Sequence, residues 1–121
     1  MRADTRALSP LSPAAFHILL ALAAGDRHGY AIMKEAADQS EGRVRIGPGT
    51  LYRSIQNLLA VGWIEEAGDR PDPASGDERR RYYRLTHKGR EVVTNEARRL
   101  ADLVRVARRR RLLGHQRPAE G

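Results

Sequence analysis

At 121 residues with a net charge of +7 and no cysteine, the chain has the size of one domain and a bias toward polyanionic partners. The missing cysteine excludes disulfides, thiolate metal sites and cysteine nucleophiles. The longest apolar stretch, residues 14–24, is too short to span a bilayer, and residues 1–8 lack the apolar core of a signal peptide, so a cytoplasmic location is expected.

Residues 1–11 read as a flexible arm. Ser12-Pro13 then forms a cap and first-turn pair that opens a helix through about Ala24, with Phe16, Leu19, Leu20 and Ala23 on one side. Gly25-Asp26-Arg27 breaks it. A second helix is expected over residues 29–39, with Tyr30, Met33 and Ala37 as its packing side, and residues 43–46 as a short strand after it.

The third helix carries the most information. Gly47 and Pro48 mark its start, because a proline in the first turn loses no helical hydrogen bond. Leu51, Ile55, Leu58 and Leu59 fall at i, i+4, i+7 and i+8 and make one apolar stripe. Thr50, Tyr52, Arg53, Gln56 and Asn57 occupy the opposite face. All five can hydrogen-bond and none is acidic, which is the chemistry that reads base edges and phosphates in a major groove. An ordinary amphipathic surface helix would share the stripe.

Gly62 stops this helix, and residues 63–66 read as a short strand around Trp63, a core or interface residue. The twelve residues 67–78 hold Gly68, Pro71, Pro73 and Gly76 and read as a loop. Arg79-Arg80-Arg81-Tyr82-Tyr83-Arg84-Leu85 is a β-prone segment whose arginines would meet phosphates beside the groove. Charge follows the same division: residues 1–78 carry 8 basic and 11 acidic side chains, residues 79–121 carry 14 and 4. Thr86 caps a last helix running to about Leu113. At about 1.5 Å per residue it would be roughly 40 Å long, more than so small a globule can cover. Val93, Ala97, Leu100, Val104 and Ala107 recur at spacings of 4, 3, 4 and 3, a heptad seam suited to a second copy. Arg108 to Arg111 read as a solvated helix end that complements the dipole, with a nucleic-acid contact as the alternative. Residues 114–121 read as a disordered tail.

Four segments in register, His28-Gly29-Tyr30-Ala31-Ile32, Gly49-Thr50-Leu51-Tyr52-Arg53, Gly62-Trp63-Ile64 and Tyr82-Tyr83-Arg84-Leu85-Thr86-His87-Lys88-Gly89, resemble the signatures of the PadR-type transcriptional regulators. The resemblance covers about residues 11–107. It implies a mainly α fold with a small β-wing: a winged helix-turn-helix over 12–85 and a dimerising helix over 86–113. It also implies a homodimeric repressor of a promoter that often answers to a small molecule. The chain departs from the family at Gly47, where relatives often carry a serine or similar polar residue, and in an acidic wing with Asp69, Asp72, Asp77 and Glu78.

The expected DNA contacts are therefore Thr50, Tyr52, Arg53, Gln56, Asn57, Arg79, Arg80 and Arg81. The expected dimer interface joins the seam to Phe16 and Leu20. The resemblance also implies an effector pocket lined by Phe16, Leu20, Trp63, Leu100 and Val104, suited to an apolar or aromatic small molecule; a closed dimer core would use the same side chains. No cofactor, metal or catalytic group is expected: His17, His28, His87 and His115 lack ligand spacing, and Glu65-Glu66 alternate across a strand. The rival reading is a non-catalytic winged helix that binds protein or RNA. A protein-binding face would be more aromatic or apolar, and only Tyr52 and Tyr82 offer themselves for RNA stacking.

Overall fold

A computed structural model describes residues 11–71 and 79–114. The elements run α1 (Pro13–Ala23), β1 (Arg27–His28), α2 (Gly29–Gln39), α3 (Pro48–Ala60), β2 (Ile64–Pro71), β3 (Arg79–Leu85) and α4 (His87–Arg109). The strands form an antiparallel sheet in the order β1-β3-β2. This is the mainly α winged helix, with one long C-terminal helix, that the sequence predicts. Residues 1–10 of the expected arm, the tail from 115 onward, and the wing tip with Asp72, Asp77 and Glu78 lie outside the described residues.

Helix α1 begins as expected: the Ser12 hydroxyl accepts from the Ala15 N–H at 3.1 Å, with Pro13 in the first turn. Its inward face differs from the predicted one. Ile18, Leu19, Ala21 and Leu22 are buried, while Phe16, Leu20 and Ala23 are only half-buried. The helix is apolar nearly all round, so periodicity could not select a face.

In α2 the packing side is displaced by one residue. Gly29, Ile32 and Ala36 point inward, Met33 and Ala37 flank them, and Tyr30 is 56% exposed. The sets 29/32/36 and 30/33/37 differ by one step, about 100° around the axis, so both fit a helical repeat. No strand forms at residues 43–46. The Ser40 hydroxyl instead donates to the Ala36 carbonyl and accepts from the Val44 N–H, both at 2.8 Å. Glu41 and Gly42 take positive φ, and Ile46 plugs the core.

The wing is longer than predicted. Strand β2 continues past Glu66 to Pro71, pairing Asp69, Arg70 and Pro71 with Arg81, Arg80 and Arg79. A bulge between Glu66 and Asp69 absorbs Ala67 and Gly68, whose φ of +88° suits a residue without Cβ. The pairing overrides the loop-like composition. Strand β1, where the sequence predicts only a helix break, is held by β3, through Arg27 opposite Tyr83 and His28 opposite Tyr82.

Trp63, Ile18, Leu19, Leu22, Ile32, Leu51, Ile55 and Ile64 are the largest fully buried side chains. Thr86 fastens α4 to this core: its hydroxyl donates to the Gly62 carbonyl at 2.6 Å and accepts from the Gly89 N–H at 3.0 Å. The helix stops at Arg109, short of the predicted Leu113. Arg111 turns to φ 60° there, and the Leu112 N–H closes back on the Ala107 carbonyl.

Candidate nucleic-acid interface

Helix α3 presents its faces as its sequence demands. Gly47 caps it without a side-chain hydrogen bond, Leu51, Ile55 and Leu58 are buried, and Thr50, Tyr52, Arg53, Gln56 and Asn57 are exposed. Arg53, Gln56 and Asn57 lie on the ridge most nearly opposite the core. Among the described residues, none of the Thr50, Arg53, Gln56 and Asn57 side chains hydrogen-bonds or ion-pairs within the chain. Their donors and acceptors are available to a ligand.

Tyr52 behaves differently. It leaves α3 about a quarter turn from the buried stripe and leans back toward α2. A Cβ added at Gly29 would stand 3.5 Å from the Tyr52 hydroxyl oxygen and 3.1 Å from Leu51 Cδ2. Tyr83 lies close enough to interact electrostatically with Tyr52; burial pushes the Tyr83 hydroxyl pKa up, Arg81 draws it back, and Glu66, Tyr52 and Asp69 add smaller upward pushes.

The three wing arginines do not act alike. Arg81 is held by Glu66 at 3.7 Å and Asp69 at 3.6 Å. Arg79 donates to the Asp69 carbonyl at 2.6 Å, and the Arg80 guanidinium lies 5.8 Å from the Tyr30 ring centroid. A cleft of about 210 Å³ opens where these side chains meet, lined by His28, Gly29, Tyr30, Tyr52, Arg79, Arg80, Arg81 and Tyr83. Its walls come from β1, α2, α3 and β3. Sequence reading missed it because it assigned Tyr30 to the core.

Two neighbours brace the wing. Arg70 stacks 4.3 Å over the Tyr82 ring and pairs with Asp26 at 2.7 Å, while His28 meets Tyr82 edge-on at 5.3 Å. Tyr82 is therefore covered within the sheet, not offered to a stacking base. The His28 Nδ1 accepts from the Ala31 N–H at 3.2 Å and caps α2.

The α4 seam divides at Ala97. Val93 is closed off in the chain's own core, which removes it from the predicted dimer residues. Ala97 is exposed, Leu100 and Ala107 are half-buried, and Val104 is 44% exposed. Leu103, absent from the predicted seam, is 52% exposed beside them. Phe16 and Leu20 line the outer side of α1. Trp63 is enclosed, so it cannot line a pocket shared with Phe16, Leu20, Leu100 and Val104. Glu96 is buried instead: it accepts from the Leu11 N–H at 3.3 Å and from Arg99 at 2.7 Å, so Leu11 is tied to α4 and does not belong to a free arm. The Arg99 hydrogen bond holds the Glu96 carboxyl below the usual carboxylate range against the upward push of burial.

Among the described residues, no group of three or more His, Cys, Asp or Glu side chains is placed to hold a metal ion, and no helix is long and apolar enough to cross a membrane.

The transcriptional regulator PadR-like family model matches residues 18–95. An uncharacterized 37.1 kDa protein in a transposon of Streptomyces fradiae is 40% identical over an 89-residue match that covers 71% of this chain. The chain spans only 22% of the length of that curated relative. A transcriptional regulator from Clostridium thermocellum superposes with a TM-score of 0.63 at 25% identity, over 78% of this chain and 89% of its own. A PadR family transcription regulator from hypervirulent Clostridium difficile superposes with a TM-score of 0.66 at 20% identity, over 81% and 97%, and supports the fold.

Proposed function

The chain belongs to the transcriptional regulator PadR-like family, and on that premise we propose that it binds double-stranded promoter DNA as a homodimer and represses transcription from a palindromic operator in the cytoplasm. The observation that supports this best is the outer ridge of α3, an exposed row of uncommitted, acid-free polar side chains. In this reading Arg53, Gln56 and Asn57, with Thr50 at the flank, read base edges in the major groove. Arg79, Arg80 and Arg81 meet phosphates beside it. No catalytic role is assigned to any residue.

Residues 12–85 would form the DNA-binding unit and α4 the dimerising one. The half of α4 beyond Ala97 exposes Leu103 and Val104, with Leu100 and Ala107 half-buried beside them. A second α4, with Phe16 and Leu20 of the facing α1, would cover that surface. An apolar or aromatic effector bound among Phe16, Leu20, Leu100 and Val104 would release DNA only if it bound the two forms of the dimer unequally.

Selection of genomic fragments by the purified protein, followed by footprinting, tests the proposal. It expects an inverted repeat overlapping a promoter, with half-sites about 10 bp apart or a multiple of that, and a rise in the transcript when the protein is removed. Protection of a single half-site by a monomer would contradict the dimeric reading.

A further inference from the structure

We propose that the cleft between α2, α3 and β3 is a preformed seat for one phosphodiester of the DNA backbone, held by the Tyr52 and Tyr30 hydroxyls and by Arg80 and Arg79, and that Tyr52 therefore positions DNA and does not read it. The inference rests on the DNA-binding reading above and divides the α3 face into two roles. Tyr52 differs from its neighbours in direction: its hydroxyl leans over Gly29, whose missing side chain leaves the room, and away from the ridge of Arg53, Gln56 and Asn57.

The chemistry of the lining points to a compact anion. Two exposed phenols and three guanidinium groups surround the opening, and no carboxylate is among the lining residues. Arg81 contributes least, because Glu66 and Asp69 already hold it. The volume of about 210 Å³ is several times the roughly 30 Å³ share of a liquid water, so a tetrahedral anion enters with some of its hydration. A flat base would need an apolar or aromatic slot; the ring of Tyr30 is instead faced by the Arg80 guanidinium. Because the walls belong to several elements, α3 and β3 among them, an occupied cleft also sets the angle of α3 against the wing.

The test compares the full-length protein with Tyr52→Phe, Tyr30→Phe and Gln56→Ala. The probes are a footprinted operator, a scrambled duplex of equal length, and operators carrying one neutral methylphosphonate linkage at successive positions. Each tyrosine variant keeps its ring, and one hydrogen bond to a charged oxygen is worth roughly tenfold in affinity. The expected result is that Tyr52→Phe and Tyr30→Phe weaken operator and scrambled duplex by the same factor. One methylphosphonate position per half-site should weaken the wild type and have little further effect in Tyr52→Phe. A changed base preference in Tyr52→Phe, or additive losses at every linkage, would overturn the assignment of the cleft while leaving DNA binding intact. Failure of the wild type to bind any duplex would overturn the DNA reading itself.

Discussion

Gly89 and the Trp63 carbonyl meet so closely that no side chain fits between them: a Cβ at Gly89 would lie 1.9 Å from the Trp63 oxygen. The contact lets the first turn of α4 press against the end of the core, where Thr86 also reaches Gly62. It fixes the direction in which the long helix leaves the domain. Alanine normally stabilises a helix relative to glycine by up to about 1 kcal/mol. Here the neighbour is backbone and cannot turn away. Gly89→Ala should therefore destabilise by about 1–3 kcal/mol, the usual range for overpacking, seen as a lower urea midpoint. An unchanged or raised midpoint would mean that α4 does not dock this tightly.

Glu96 gives the fold a predictable acid response. Its carboxyl is held below the usual carboxylate range, chiefly because Arg99 donates to it. A group whose pKa is depressed by folding stabilises the folded state above its unfolded pKa, and that contribution is lost as pH falls through the folded one. Glu96→Gln should cost stability at neutral pH, with the difference from wild type shrinking below about pH 4.5. Urea midpoints measured across that range check the sign. A gap that stays constant would mean that Glu96 does not titrate with folding in this range.

Arg81 is partly occupied by its own wing. It, Glu66 and Asp69 are all more than half exposed, so the pairs are worth only about 0.2–1 kcal/mol. Asp69→Asn should leave the guanidinium with Glu66 as its one remaining carboxylate partner and strengthen binding to every duplex alike, by about two- to fivefold, with a steeper salt dependence. Weaker binding, or a shift in sequence preference, would give Asp69 a different role.

Val104 tests the dimer with little risk to the protomer, since 44% of it is exposed. Val104→Glu places a charge at the middle of the proposed contact, where burial without a partner is costly. Sedimentation should find monomer, with operator binding lost in parallel and the circular dichroism spectrum retained. A variant that stays dimeric would move the interface off this part of α4.

How far the sequence could be read depended on how unequal its local choices were. Helix α3 was legible to its faces because Leu51, Ile55 and Leu58 alternate with polar residues that have no alternative burial. The Thr86 cap was legible because its motif is local. Helix α2 was not, since 29/32/36 and 30/33/37 are equally helical and tyrosine suits either side; only its packing against α1 and α3, which brings Gly29 close to Leu51, decides that Tyr30 stays outside. Strand β1 is two residues long and exists through its pairing with β3. The extension of β2 through Gly68 likewise comes from the partner strand, against local composition. The cleft escaped sequence reading for the same reason: His28, Tyr52 and Arg80 lie in three segments that only the tertiary fold unites.

In the proposed function the outer ridge of α3 reads base pairs. The most direct measurement is the affinity of wild type and Gln56→Ala for the footprinted operator and for every single-base variant of one half-site. Gln56→Ala should lose about 1–3 kcal/mol on the operator and become indifferent at one base-pair position while discriminating as before at the others. An equal loss at every sequence, or no loss at all, would contradict it.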